Sequence, residues 1–389
     1  MNKELVILTV ASLAVLPSCK KKGCMDANAI NYDSEAEKEG PCEYAPVVTY
    51  NAPDTYVFTD ADGNNTVSFG GQTARMDMLS EMTSYLKTAN NGGTQLDGAT
   101  LVAMYDNSYT DWSDANLVGN GKQLKSKTAL GDAGIQAQFE TWMTQAAAAT
   151  PPAEGYLQAE TGQEWTQLIE KGLMSACFAS QMTANYLAGI TADDNTTAVD
   201  TTAGKYYTEM EHHWDEAYGY FTDATNYGEV NPDDADTPFG AERFWGKYAY
   251  KTLNTLLGSA DNISLAFRTG RAAISAGVVE DVPAQVAIIQ EEARRMVAGM
   301  AIHYLNSTKQ KVADGETQNK VNHYLSEAWA FIYGIQFCQD ADMTPTEVTD
   351  LLAHIDGVFE GFSLSTPSIN GVIAIIAAAS GLEAYQNDL

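Results

Sequence analysis

A histidine followed one helical turn later by Glu-Ala occurs twice in this chain, each time among aromatic, helix-forming residues. The first copy, His212–Glu216–Ala217, lies in KYYTEMEHHWDEAYGYF (Lys205–Phe221). The second, His323–Glu327–Ala328, lies in HYLSEAWAF (His323–Phe331). In register, Tyr218, Gly219 and Tyr220 become Trp329, Ala330 and Phe331. Both segments are expected to be helical, where residues four apart share a face, with a polar edge set in an aromatic surround. In the first copy Glu209, His212, His213 and Glu216 stand at i, i+3, i+4 and i+7, placing all four on one side.

The flanking sequence repeats as well. Each copy follows a long apolar helical segment ending in Tyr-Leu (Tyr186-Leu187 and Tyr304-Leu305) and then a polar linker, Thr191–Thr202 or Asn306–Lys320. This is the pattern of a duplicated bundle, with halves near 70–225 and 240–389. Met76, Leu79, Met82 and Leu86 fall on one face of a helix over Gln72–Asn90. Further helices are expected over Asp132–Ala149, Gln163–Leu187 and Val282–Leu305, the last begun by Pro283 at its first turn. In the second of these, Glu170 reads as a solvated partner of Lys171. Residues 45–71 alternate instead, with an Asp62-Gly63-Asn64 turn, and predict one small hairpin. About ten helices and little strand amount to an all-α, pseudo-twofold helical bundle.

The first eighteen residues are expected to be a targeting segment. Leu5–Leu16 is too short to span a bilayer as a mature helix, and Leu16-Pro17-Ser18-Cys19 has the form of a lipobox with Cys19 as the lipidated residue. This places the protein outside the cytoplasm, anchored through Cys19 at the bacterial outer membrane, on its outer or periplasmic face. Residues 19–45 then form a tether and a small module, and 46–389 the helical domain. Cys24 and Cys42 bracket a segment too short and polar to build a core, so an exported chain would staple it with a Cys24–Cys42 disulfide. The segment resembles the small GC-x-D-x-x-A-x-NY…G-x-C-x-Y modules that decorate secreted bacterial proteins. Cys177 and Cys338 sit in apolar helical patterns as small core residues. A net charge of −29, from 51 acidic and 22 basic residues, would repel phosphate backbones, which argues against nucleic-acid partners.

Imidazole and carboxylate groups one turn apart leave a helix in nearly the same direction and can ligate one ion. Glu209, His212, His213, Glu216, His323 and Glu327 are therefore the candidate metal ligands, with the two helices facing each other across the pseudo-twofold. Nitrogen and oxygen donors without thiolate suit iron or zinc. Calcium is a further candidate at the acidic turns, Asp26, Asn28 and Asp33 and the loop Asn226–Pro238, where turn-making is the simpler role.

The stretches GGQTARMDML, EWTQLIEKGLMSACF, EMEHHWDEAYGYF, RFWGKYAY and HYLSEAWAF resemble a family of exported bacterial lipoproteins catalogued as a domain of unknown function. That family is similar in turn to imelysin-like proteins, duplicated helical bundles found with iron-uptake systems and marked by Gly-x-His-x-x-Glu. His213 and Glu216 match the histidine and glutamate of that motif, while Glu211 stands where its glycine would be. The resemblance implies a non-catalytic lipoprotein that binds a metal ion or iron-bearing ligand beside an outer-membrane uptake receptor. Two alternatives are a metallopeptidase-like hydrolase and a scaffold in which both His/Glu pairs are core. The sequence contains neither His-Glu-x-x-His nor Gly-x-Ser-x-Gly to favour the hydrolase.

Overall fold

Helices begin in this chain where a short polar side chain can take up the free N–H groups of a first turn. Thr208 and Thr344 each close a capping box with the glutamate three residues on, Glu211 and Glu347. Asp97, Asp132 and Thr317 cap three more starts with their side-chain oxygens. The computed structural model describes residues 20–44, 48–359 and 367–389. The expected targeting segment 1–18 and the lipidation residue Cys19 lie outside them. The chain divides into two units, one ending at Thr49 and one beginning at Tyr50.

In the first unit the Cys24–Cys42 disulfide is present. It closes a small knot in which β1 (Lys22–Gly23) pairs in parallel with β2 (Lys38–Glu39). A Cβ added at Gly40 would come within 2.9 Å of the Gly23 backbone, so this crossing requires glycine.

The second unit is all-α. Its helices are α1 (Gly70–Lys87), α2 (Gly98–Asp106), α3 (Ala133–Ala148), α4 (Trp165–Leu173), α5 (Glu209–Phe221) and α6 (Phe244–Tyr248). They continue with α7 (Asn254–Leu257), α8 (Ser259–Ser275), α9 (Val282–Ala313), α10 (Gln318–Gly334), α11 (Pro345–Asp356) and α12 (Pro367–Ala379). The expected hairpin is a minimal one: Thr59 bridges Asn65, while Asp60 turns its carboxylate back onto the backbone of Asp62 and Asn64.

Two elements depart from the sequence reading. The helix expected to stop at Leu305 runs on to Ala313, because Leu305, Thr308 and Val312 keep the core-facing period through a polar stretch. It ends at Gly315, whose φ of +72° favours glycine. The single helix expected over Gln163–Leu187 is α4 followed by two π-helical turns, Met174–Ala179 and Gln181–Tyr186. Every residue of Met174–Ala179 is buried, and Gly334 of α10 lies so close to Ser175 that any Cβ there would collide with it. The wider turn spreads this helix where two neighbours press on it.

These packings position the two histidine helices apart. α5 packs on α1, α8 and the second π-helical turn, whereas α10 packs on α9, α4 and α11. Trp214 and Trp245 fill the centre without exposure, donating Nε1–H to the carbonyls of Phe267 (3.0 Å) and Met174 (2.8 Å). Among the described residues no helix is long and apolar enough to cross a membrane.

Candidate functional site

The first turn of α5 is pinned by the segment before it. Asp194 N–H donates to Glu209 (3.3 Å), Met210 N–H to the Asp194 carbonyl (3.1 Å), and Thr208 Oγ1–H to Asn195 Oδ1 (2.9 Å). This docking brings Asp193 beside His213, whose Nδ1 lies 2.8 Å from Asp193 Oδ2. One donor atom each from Asp193, Glu209 and His213 lies within 4.8 Å of the others. The cluster is partly open to solvent, with the His213 side chain 35% exposed and Asp193 22%.

Adjacent on the same helix, His212 Nδ1 lies 3.1 Å from the Ser68 carbonyl, and its ring stacks on Tyr207. An acceptor at Nδ1 makes that nitrogen the N–H of a neutral ring and leaves the Nε2 lone pair free. Burial, the largest influence, holds the His212 pKa below its ordinary value, in keeping with a neutral ring. Its Nε2 faces Glu216 Oε2 across 4.0 Å, too far for a hydrogen bond. Glu216 Oε1 accepts from Gln72 Nε2 (3.0 Å), while Gln72 Oε1, wholly buried, has no partner.

The α10 copy repeats the arrangement. His323 Nδ1 lies 2.5 Å from Glu164 Oε2, and Nε2 faces Glu327 Oε2 at 3.7 Å. Here, however, the positive charge is supplied by the protein. Lys171 Nζ reaches Glu170 (2.9 Å) and Glu327 (3.9 Å), with side-chain exposures of 7%, 13% and 8% respectively. Glu170 is thus Lys171's partner as expected, but half-buried beside it. Burial works against a charged His323 most strongly, yet its hydrogen bond to Glu164 and the charges of Glu164 and Glu327 outweigh that and raise its pKa. These groups line a polar cavity of about 460 Å³ with Gln167, Tyr248 and Tyr304.

The structure therefore gathers the predicted residues into two places. Glu209, His212, His213 and Glu216 line α5, and none of them lines the α10 cavity. Even on α5, His213 turns to Asp193 and Glu216 to Gln72, so the pair matching the imelysin-like motif does not converge. His323 and Glu327 do not face α5 as expected, and a lysine already occupies the carboxylate side of that pair. Asp193 was hidden in what reads as a linker. The usable signal was its position just ahead of the Thr208-x-x-Glu211 capping box, which brings the preceding loop onto the first turn. The acidic turns use their side-chain oxygens locally: Asp26 on Asn28 and Tyr44, Asp33 on Lys21 and Glu35, and Asn231 and Asp234 on the backbone amides of Asp233 and Asp236.

Between α5 and α8 lies a third polar group that the sequence did not announce. Arg271 is fully buried and donates to Glu211 (2.6 Å), Asp215 (2.9 Å), Thr66 (3.0 Å) and Ser275. Tyr56 O–H and Ser68 N–H complete the shell of Asp215 at 2.8 and 2.9 Å.

A family described as "Domain of unknown function (DUF4856)" matches residues 53–378. Neither the comparison with curated proteins nor that with solved structures gives a match.

Proposed function

We propose a function for a chain that belongs to the DUF4856 family, a family of domains of unknown function: non-catalytic capture of a metal ion, or of an iron-bearing ligand, at the start of α5. The observation that carries this reading is the grouping of Asp193, Glu209 and His213 within 4.8 Å. Ligands bonded to one ion at about 2.0–2.2 Å stand roughly 3–4.4 Å apart, so a small rotation of the exposed Glu209 would close the set. Among the described residues no lysine or arginine forms an ion pair with Asp193, Glu209 or Glu216, which leaves their charge for an external cation. One imidazole and two carboxylates favour iron or zinc and leave coordination positions open. His212, held by Ser68 and Tyr207, serves to support the helix face rather than to ligate.

In this reading the chain is exported and tethered through Cys19 at the outer membrane, where the site would serve iron uptake, as the imelysin-like resemblance implies. Metal analysis of the purified protein, after addition of one equivalent of Fe²⁺ or Zn²⁺ and gel filtration, tests it. About one ion per chain is expected, falling at least tenfold in a Glu209→Ala, His213→Ala double variant that still folds. Equal metal in both proteins, or none in either, refutes the site.

A further inference from the structure

The α10 cavity does not end at His323. A second hollow of about 220 Å³ shares Lys87, Glu170, Lys171, Lys247 and Tyr248 with it, so the two form one continuous groove. In a chain with more than twice as many acidic as basic residues, this groove gathers cations. Most of its charges are matched. Lys171 is held by Glu170 and Glu327, His323 by Glu164, and Arg243 at the far end by Asp77 and Asp223. Glu242 lies at that same end, on an exposed position.

Lys87 and Lys247 are different: among the described residues neither ammonium has a carboxylate or hydrogen-bond partner. Lys247 is half-buried, and its ammonium and that of Lys171 both lie 5.3 Å from the Tyr248 ring centroid. Two like charges thus share one ring. Burial and the neighbouring Lys171 both lower the Lys247 pKa. At the deep end Gln167, which lines the cavity, gives its Nε2 to Glu164 (3.2 Å) while its buried Oε1 accepts nothing. The groove thus offers unmatched positive charge at its mouth and an unmatched acceptor within.

We propose that this groove is a second binding site, distinct from the α5 cluster, for a small organic anion: a carboxylate seated at Lys87 and Lys247, with a hydroxyl or amino donor reaching Gln167. A neutral sugar satisfies only Gln167. A hydroxylated carboxylate of the sugar-acid class and an amino acid share the required chemistry.

Titration calorimetry of the intact protein at low salt, with D-glucuronate, L-glutamate and D-glucose in separate runs, tests this. One of the two carboxylates is expected to bind with D-glucose at least tenfold weaker. Binding of glucuronate alone identifies the sugar-acid source, and of glutamate alone the amino-acid source; binding of both assigns recognition to the carboxylate with either donor. Lys247→Met should weaken binding at least tenfold. Lys87→Ala, at an exposed position that does not threaten folding, should weaken it several-fold. Neither variant should change the metal content set by Glu209 and His213, so failure of one site is distinguishable from failure of the other. No binding of either carboxylate, equal binding of D-glucose, or affinity unchanged in both lysine variants overturns the proposal.

Discussion

The two histidine helices each sit beside a buried cation ringed by carboxylates, yet they solve the problem of buried charge in opposite ways. Next to α5, Arg271 distributes its guanidinium over Glu211, Asp215, Thr66 and Ser275, and Asp215 has two further donors. Arg271 and Asp215 have no exposure, and the Arg271 guanidinium lies 4.9 Å from the centroid of the Phe58 ring. Next to α10, Lys171 presents a point charge to Glu170 and Glu327, and beside them lies an open polar cavity with an acceptor left over. A planar fork of fixed donors can be saturated and sealed, while a single ammonium leaves lone pairs that only water or a ligand can meet. The first network is therefore structural, and the second is where a solute can enter.

That contrast fixes the relative cost of removing each cation. Arg271→Met strands Asp215, which has no exposure, and Glu211 without a counter-charge. The expected loss is about 3–5 kcal/mol, read as a lowered urea midpoint at unchanged slope. Lys171→Met removes an equally central charge, but the groove lets water reach Glu170 and Glu327. A smaller loss, about 1–3 kcal/mol, is expected from the same measurement. Equal losses would break the distinction between a sealed and a hydrated network.

How far each region was legible in the sequence follows the same division. The helices, the Cys24–Cys42 staple and the His/Glu faces all arise from contacts within a few residues or from short-range spacing. Partners distant in sequence were not legible. Arg271 meets Thr66 across 205 positions, and Asp215 meets Tyr56 across 159, with no local pattern marking either pair. Glu170 and Lys171 read as a solvated couple because their neighbours on α4 show nothing of α10, which buries them. The π-helical turns were also invisible, since no local pattern in Met174–Tyr186 marks them; the first packs closely on Gly334, distant in sequence. The continuation of α9 past Leu305 was missed for a different reason: its polar residues resemble a linker, and only the sparse Thr308 and Val312 carry the period.

The smallest effect concerns His323, and its sign separates the hydrated network from an inert one. The fold raises the pKa of this histidine, since Glu164 and Glu327 together outweigh the burial that opposes its charge. Its charged form is therefore favoured by folding. The resulting stability is fully present below the ordinary histidine value of about 6.5 and is lost as pH rises through the elevated folded value. The stability difference between wild type and His323→Gln should accordingly shrink with rising pH, by no more than about 1.4 kcal/mol per unit within that window. Urea unfolding of both proteins from pH 5 to 9 measures it. Binding a carboxylate in the groove adds negative charge near His323, so a saturating anion should move the window to higher pH. A difference that grows with pH would mean that burial, and not Glu164, governs the imidazole, and that the α10 network is as dry as the one around Arg271.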